Sequence, residues 1–148
     1  MRQLIYFRWT LLLLPVMMTC RQGNHTTDPD GNTGPNPYAT IETISAEEAW
    51  TLIDDNQDNP DFQIIDVRTP HEYSLGHIMG AVNIDFSDPA FEDRIGELDR
   101  SGTYLIYCAS GNRSGQALTV MEELDFMTVY NLEGGIAAWT RAGYSFVT

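Results

Sequence analysis

Short apolar runs of strand length alternate with segments of helical period from residue 41 onward, and this alternation constrains the fold more than any other feature. Strands are expected at residues 41–44, 62–67, 81–84, 103–108 and 128–132. Strands that are separated by helices of about ten residues favour parallel pairing, because right-handed crossovers then cover both faces of the sheet. The sequence therefore predicts one α/β domain whose parallel sheet has about five strands.

The segments between these strands predict the helices. In "SAEEAWTLIDD", Ser45 and Glu48 have capping-box spacing, and Pro70 suits the first turn of a short second helix. Further helices are expected at residues 91–98, after the loop that ends near residue 113, and at residues 135–142. The first helix is predicted to bury one face, formed by Ala46, Ala49, Trp50 and Ile53.

The stretch "YCASGNRSGQ", residues 107–116, follows the most apolar strand and precedes a helix. Ligands of open parallel sheets bind beyond the carboxyl ends of the strands, so we expect a site here. The four residues between Cys108 and Arg113 can turn their N–H groups inward as an anion-binding nest. This nest, the helix N-terminus and the hydroxyls of Ser110 and Ser114 are expected to lower the pKa of the Cys108 thiol. The residue types alone also fit an inert, buried cysteine at a strand end.

The loop "CASGNRS" resembles the active-site loop of the rhodanese (thiosulfate sulfurtransferase) family, whose common form is "CRSGNRS". The resemblance extends to "IIDVRTPHEYSLGHIMGAVNI", residues 64–84, and to "YNLEGGIAAW", residues 130–139. These motifs imply a single rhodanese-like domain over residues 41–148, with Cys108 as the catalytic residue. They also imply a persulfide-binding loop and a set of supporting residues: Ala109, Ser110, Gly111, Asn112, Arg113 and Ser114 in the loop, with Asp66, Arg68 and Glu72 in support.

The resemblance implies sulfur transfer that needs no cofactor. The Cys108 thiolate attacks the outer sulfur of a small anionic donor such as thiosulfate, and sulfite leaves. A thiol or cyanide from outside the protein then takes the sulfur from the persulfide. Ala109 stands where many family members have arginine, so one cation is missing at the mouth of the loop. We therefore expect weaker binding of thiosulfate.

Two other functions compete with this interpretation. Related cell-cycle tyrosine phosphatases also use a cysteine loop that ends in arginine, but their loops place five residues between the two, and this loop has four. The shorter loop argues against phosphate. Many rhodanese-like domains only dock partners, and an intact cysteine loop argues against that role here.

The other residues of the motifs are given structural roles. Arg68 and Glu72, four positions apart, are expected to form an ion pair, with Asp66 hydrogen-bonded to nearby backbone. His77 is interpreted as a hydrogen-bonded turn residue. Two glycines are expected to form a tight turn and one tryptophan to lie in the core: Gly134, Gly135 and Trp139. No metal site is predicted, because the histidines lack a plausible cluster of ligands.

Residues 1–20, "MRQLIYFRWTLLLLPVMMTC", have the layout of an export signal: arginines, then an apolar segment, and no acidic residue. Cys20 directly follows the apolar segment, as does the lipid-modified cysteine of bacterial lipoproteins. Lipidation is the favoured interpretation, with ordinary cleavage or an uncleaved anchor as alternatives. Residues 21–40 are rich in Gly, Pro, Asn, Asp and Thr and are predicted to be a flexible linker. The expected location is the periplasmic side of the cell envelope, anchored to a membrane.

The charge and the cysteine content of the chain limit which classes of molecule can be its partners. The formal net charge is −13 and the chain has no lysine, which argues against nucleic acid and is typical of a solvated surface or of adaptation to high salt. With Cys20 lipidated or removed, Cys108 is the only thiol left. An external thiol must then accept the sulfur, and an exposed reactive thiol would need a supply of reductant or sulfur.

Overall fold

The computed structural model describes residues 36–148, in which strands and helices alternate. The strands are β1 (Thr40–Ile44), β2 (Phe62–Asp66), β3 (Ala81–Asn83), β4 (Thr103–Tyr107) and β5 (Thr128–Leu132). The helices are α1 (Ala46–Asp55), α2 (Pro70–Ser74), α3 (Phe91–Gly96), α4 (Asn112–Glu123) and α5 (Gly135–Arg141). The predicted export signal, Cys20 and most of the predicted linker lie outside the described residues and stay predictions.

All five strands join one parallel sheet in the order β1-β5-β4-β2-β3, as the alternation predicts. The most apolar strand, β4, lies at the centre, and its side chains from Tyr104 to Tyr107 are buried. The chain runs outward from β2 to β3 on one side and from β4 to β5 on the other. The carboxyl ends of β2 and β4 therefore flank the point where the strand order reverses, which is where such sheets bind ligands.

Helices cover both faces of the sheet and divide the core in two. One cluster joins the sheet to α3 and α4 through Phe91, Ile95, Ala117 and Met121. The other cluster joins it to α1, α2 and α5, with Ala49, Tyr73 and Trp139 among its members.

Side-chain caps fix where the first two helices begin. Ser45 and Glu48 form the predicted capping box of α1, and Thr69 and Glu72 form a second one at α2, where Pro70 occupies the first turn. Each box satisfies backbone N–H groups that have no partner within the helix. The cap of α2 also fixes the carboxylate of Glu72 beside the end of β2.

One residue of the predicted buried face of α1 is on the surface. Ala49 is fully buried, but Trp50 is 45% exposed and its ring stacks on Tyr144 at 5.9 Å between centroids. A hundred-degree turn separates adjacent positions on a helix, so only one of the two can point straight at the sheet. The prediction for Trp50 was wrong.

Candidate active site

The main chain of the cysteine loop is held by the start of α5. The N–H of Ile136 donates to the carbonyl of Cys108 at 2.9 Å, and the N–H of Ala137 donates to that of Ala109 at 3.2 Å. Gly135 makes this approach possible, since a Cβ there would overlap the Cys108 carbonyl and lie 2.7 Å from the carbonyl carbon of Ala109. With these carbonyls turned toward α5, the N–H groups of the loop are free to face its interior.

The sulfur of Cys108 lies inside this turn. Its Sγ accepts a hydrogen bond from the N–H of Gly111 at 3.1 Å and from the hydroxyl of Ser114 at 3.4 Å. Gly111 has φ +94°, a left-handed conformation that favours glycine, and it caps α4. The predicted nest is therefore present and is closed around one sulfur atom.

The environment of Cys108 favours its thiolate. Burial opposes ionisation, but the Ser114 hydroxyl and the N–H groups of Ser114, Ser110 and Gly111 outweigh it, so the pKa of the thiol is lower than usual. Hydrogen bonds to a charged form stabilise that form. An anionic sulfur, whether thiolate or persulfide, is thus the state that this loop accommodates.

The thiol is not exposed, contrary to the expectation from the sequence. Cys108 is only 1% exposed and belongs to the core cluster beneath α4. Cys108 directly follows the buried strand β4, and α5 packs against the backbone of the loop.

Arg113 pairs with Glu72, which corrects the predicted pairing of Glu72 with Arg68. The two terminal nitrogens of Arg113 donate to the two carboxylate oxygens at 2.8 and 2.7 Å. The N–H and hydroxyl of Thr69 also donate to Glu72 Oε2, at 3.1 and 2.9 Å. The pKa of Arg113 is raised chiefly by Glu72 and less by Cys108, so the guanidinium is close enough to both to sense their charges.

Arg68 turns the other way and pairs with Asp66. Its Nη2 lies 2.6 Å from Asp66 Oδ2 and also donates to the carbonyl of Gly76, and both charged residues are buried. The hydroxyl of Tyr107 accepts from the N–H of Ile78 at 3.0 Å, and Arg68 lies over its ring. Asp66 does accept from nearby backbone as predicted, from the N–H of Arg68 at 2.9 Å. This buried cluster supports the carboxyl ends of β2 and β4.

The remaining loop residues face outward or act through their backbone. Ser110 is exposed and contributes its N–H to the sulfur, whereas its hydroxyl had been expected as a donor. Asn112 accepts a hydrogen bond from the side chain of Gln116 at 2.9 Å, within α4. Ala109 is half-buried and carries no polar group.

The structural roles assigned to three other residues fit their contacts. Nδ1 of His77 lies 3.1 Å from the carbonyl of Tyr73, on whose ring it stacks. Trp139 is buried and donates to the carbonyl of Ser145. Gly134 has φ +69° and precedes α5 in a tight turn.

Two features of the site escaped the sequence analysis. Gly135 was assigned to a turn, but it is also where α5 touches the cysteine loop. Glu72 was placed with a neighbour in the sequence, but its partner is 41 positions away. The paired glycines at the start of a helix were a signal for the contact between α5 and the loop. No local sequence pattern indicates the pairing of Glu72 with Arg113.

The described residues contain neither a metal-ligand cluster nor a membrane-spanning helix. Between residues 36 and 148, no three or more His, Cys, Asp or Glu side chains are grouped so that they could hold a metal ion. Within the same range, none of the helices has the length and apolar character needed to cross a membrane.

The chain is similar to a known protein family and to several individual proteins. Residues 45–142 match the family described as Rhodanese-like domain. The chain is 38% identical over 77 residues to the uncharacterized protein YqhL of Bacillus subtilis, covering 52% of this chain and 60% of that protein. It is 36% identical to a sulfurtransferase of Allochromatium vinosum, in a match that covers 61% of this chain and 82% of that protein. It is 32% identical to the thiosulfate sulfurtransferase GlpE of Pseudomonas paraeruginosa, in a match that covers 68% of this chain and 84% of that protein.

A solved structure shares the fold. The rhodanese-related protein of Thermoplasma volcanium superposes with a TM-score of 0.60 at 30% sequence identity. The match covers 72% of this chain and 97% of the other.

Proposed function

The chain belongs to the rhodanese-like domain family, and we propose that it is a sulfurtransferase that carries sulfane sulfur as a persulfide on Cys108. The names of its relatives support the reaction class. The donor, the acceptor and the role of each loop residue are part of the proposal.

The observation that carries the proposal is the closed nest around Sγ of Cys108. The N–H of Gly111 and the hydroxyl of Ser114 point at the sulfur, and the pKa of the thiol is lowered. A nucleophile at neutral pH needs its thiolate form, and the same donors stabilise the terminal sulfur of a persulfide after transfer. Loop N–H groups that are already oriented cost no reorganisation when the charge arrives.

The reaction has two displacement steps. In the first, the Cys108 thiolate attacks the terminal sulfur of the donor, the sulfur–sulfur bond of the donor breaks, and its remainder leaves with the electron pair of that bond. In the second, an external thiolate attacks the outer sulfur of the Cys108 persulfide and returns Cys108 to its thiolate. Cys108 is the only cysteine in the described residues, so the acceptor comes from outside this domain.

The loop geometry favours sulfur over phosphate. Four residues separate Cys108 from Arg113, and the guanidinium that would face a phosphate is occupied by Glu72. A phosphatase would need that cation for the charge of its transition state. We expect no hydrolysis of an aryl phosphate.

Mass analysis of the donor-treated protein tests the proposal. Wild-type protein should gain one sulfur atom on the peptide that contains Cys108, and a thiol should remove it. Cys108→Ser should lose this uptake and at least about a thousandfold of the transfer rate. Cys20→Ser is the matched control and should keep both. An unmodified Cys108 with every donor would favour a docking module, and hydrolysis of aryl phosphate would favour a phosphatase.

The location of this activity forms a separate part of the proposal. A lipid on Cys20 would hold the domain at the periplasmic side of the cell envelope by a flexible linker. Mass spectrometry of the amino-terminal peptide from native membranes tests it, and an unmodified Cys20 contradicts it.

A further inference from the structure

The charge of Arg113 is neutralised by an acid that is itself held in place. Both oxygens of Glu72 contact the guanidinium, and Thr69 fixes Oε2 with two further hydrogen bonds. The carboxylate cannot swing away without also breaking the cap of α2. Beside the sulfur, the pair presents little net charge to an incoming anion.

The other cations of the described residues do not replace it. Arg68 is buried against Asp66, and Ala109 leaves the position after the nucleophile without a charge. Arg94 donates to the carbonyl of Asn83 at the end of β3, two strands or about 10 Å from the end of β4. Arg100 precedes β4 and Arg141 ends α5, so both lie toward the opposite end of the sheet.

The domain around the site is strongly acidic. From residue 36 to residue 148 there are five arginines against 19 aspartates and glutamates, a formal net charge of −14. A field of this sign repels anions in proportion to their charge. The N–H nest can satisfy one charged sulfur atom, but among residues 36–148 no unpaired cation lies beside it to match the sulfonate group of thiosulfate.

We infer that the sulfur donor of this site is an organic persulfide, a thiol bearing one extra sulfur, rather than dianionic thiosulfate, and that Glu72 sets this preference by neutralising Arg113. The inference rests on the proposed function. In the loading step, the Cys108 thiolate attacks the terminal sulfur of R–S–SH, a bond forms between the two sulfurs, and the original S–S bond breaks. The leaving thiolate RS⁻ takes the proton of the terminal sulfur, so the products are the Cys108 persulfide anion and RSH. No oxidant or reductant is consumed.

The test compares the rates at which cysteine persulfide and thiosulfate load Cys108 in the full chain, followed by mass analysis. Since the two donors differ in intrinsic reactivity, the ratio of their rate constants is compared between variants. Glu72→Gln frees the cation of Arg113 and should raise the thiosulfate-to-persulfide ratio about tenfold. Ala109→Arg leaves the pair intact, adds a cation, and should change the ratio in the same direction, which decides the matter if Glu72→Gln does not fold.

Glu48→Gln is the matched control, because Glu48 occupies the equivalent capping position of α1 without an arginine partner, and the ratio should stay unchanged. In the wild type, added salt should accelerate loading by thiosulfate, because salt screens repulsion between like charges. An unchanged ratio in both Glu72→Gln and Ala109→Arg, or loading by thiosulfate that slows with salt, would overturn the inference while leaving sulfur transfer standing. Failure of both donors to load the wild type would overturn the proposed function as well.

Discussion

The carboxylate of Glu72 accepts from both terminal nitrogens of Arg113, at 2.7 and 2.8 Å, and so joins the first turn of α2 to the first turn of α4. The hydrogen bonds from Arg113 are the largest cause of a pKa of about 2 for Glu72, against an ordinary value of 4.5. The pair thereby connects the ends of β2 and β4 at the site.

Stability should depend on pH through this pair. Because the folded pKa is depressed, the unfolded chain binds more protons between about pH 2 and 4.5, so the contribution is complete above that window and is lost as the pH falls through it. The free energy of unfolding of the wild type, measured with urea, should rise between pH 3 and pH 6. In Glu72→Gln this rise should be smaller by about 1 kcal/mol. Glu48→Gln, which lacks an arginine partner, should change this rise less. Parallel pH profiles for Glu72→Gln and the wild type would contradict the assignment.

Ser114→Ala should raise the pKa of Cys108. The hydroxyl of Ser114 lies 3.4 Å from Sγ and is the leading group that lowers this pKa against burial. Ultraviolet absorbance of the thiolate, followed against pH, measures the shift. Ser110→Ala is the control, because Ser110 acts through its N–H, which the substitution keeps. Equal midpoints in Ser114→Ala and Ser110→Ala would rule out the hydroxyl as a determinant.

Gly135→Ala should displace the cysteine loop. The new Cβ would overlap the carbonyl of Cys108, and φ is already +59°. Gly143→Ala has a comparable φ, +87°, but an open surrounding, so it isolates the backbone cost of about 1–2 kcal/mol. Gly135→Ala should cost at least about 2 kcal/mol more in urea unfolding and should also slow sulfur uptake. Similar losses for the two variants would show that the loop and α5 separate easily.

Asp66→Asn should destabilise the fold strongly. It leaves the guanidinium of Arg68 buried without its counter-charge, and breaking a buried pair in this way costs about 3–5 kcal/mol. The exposed Asp58→Asn should change the free energy of unfolding by less than about 0.5 kcal/mol. A small loss for Asp66→Asn would mean that water reaches Arg68.

The architecture was predictable from the sequence because local and long-range signals agree. Apolar runs such as β4 and caps such as that of Ser45 each indicate the same parallel sheet with helices between its strands. The loop around Cys108 was predictable for the same reason, since glycine and small residues at a strand-to-helix turn favour a nest.

The pairing of charges was not predictable. A spacing of four residues favours an ion pair only where both side chains lie on one helix, but Arg68 precedes α2 and its backbone enters a buried turn. There, Asp66 is the acid within reach, and Glu72 is left for a residue from α4. The burial of Cys108 likewise depends on where α5 docks, which no local pattern specifies.

The main-chain hydrogen bonds from Ile136 and Ala137 to the cysteine loop determine which substitutions the loop can accept. The shape of the loop is imposed by backbone atoms of α5, so it does not depend on which side chains occupy positions 109, 110 and 112. Substitutions at those positions are therefore expected to alter the surface at the mouth of the loop, while the main chain around the sulfur keeps its geometry.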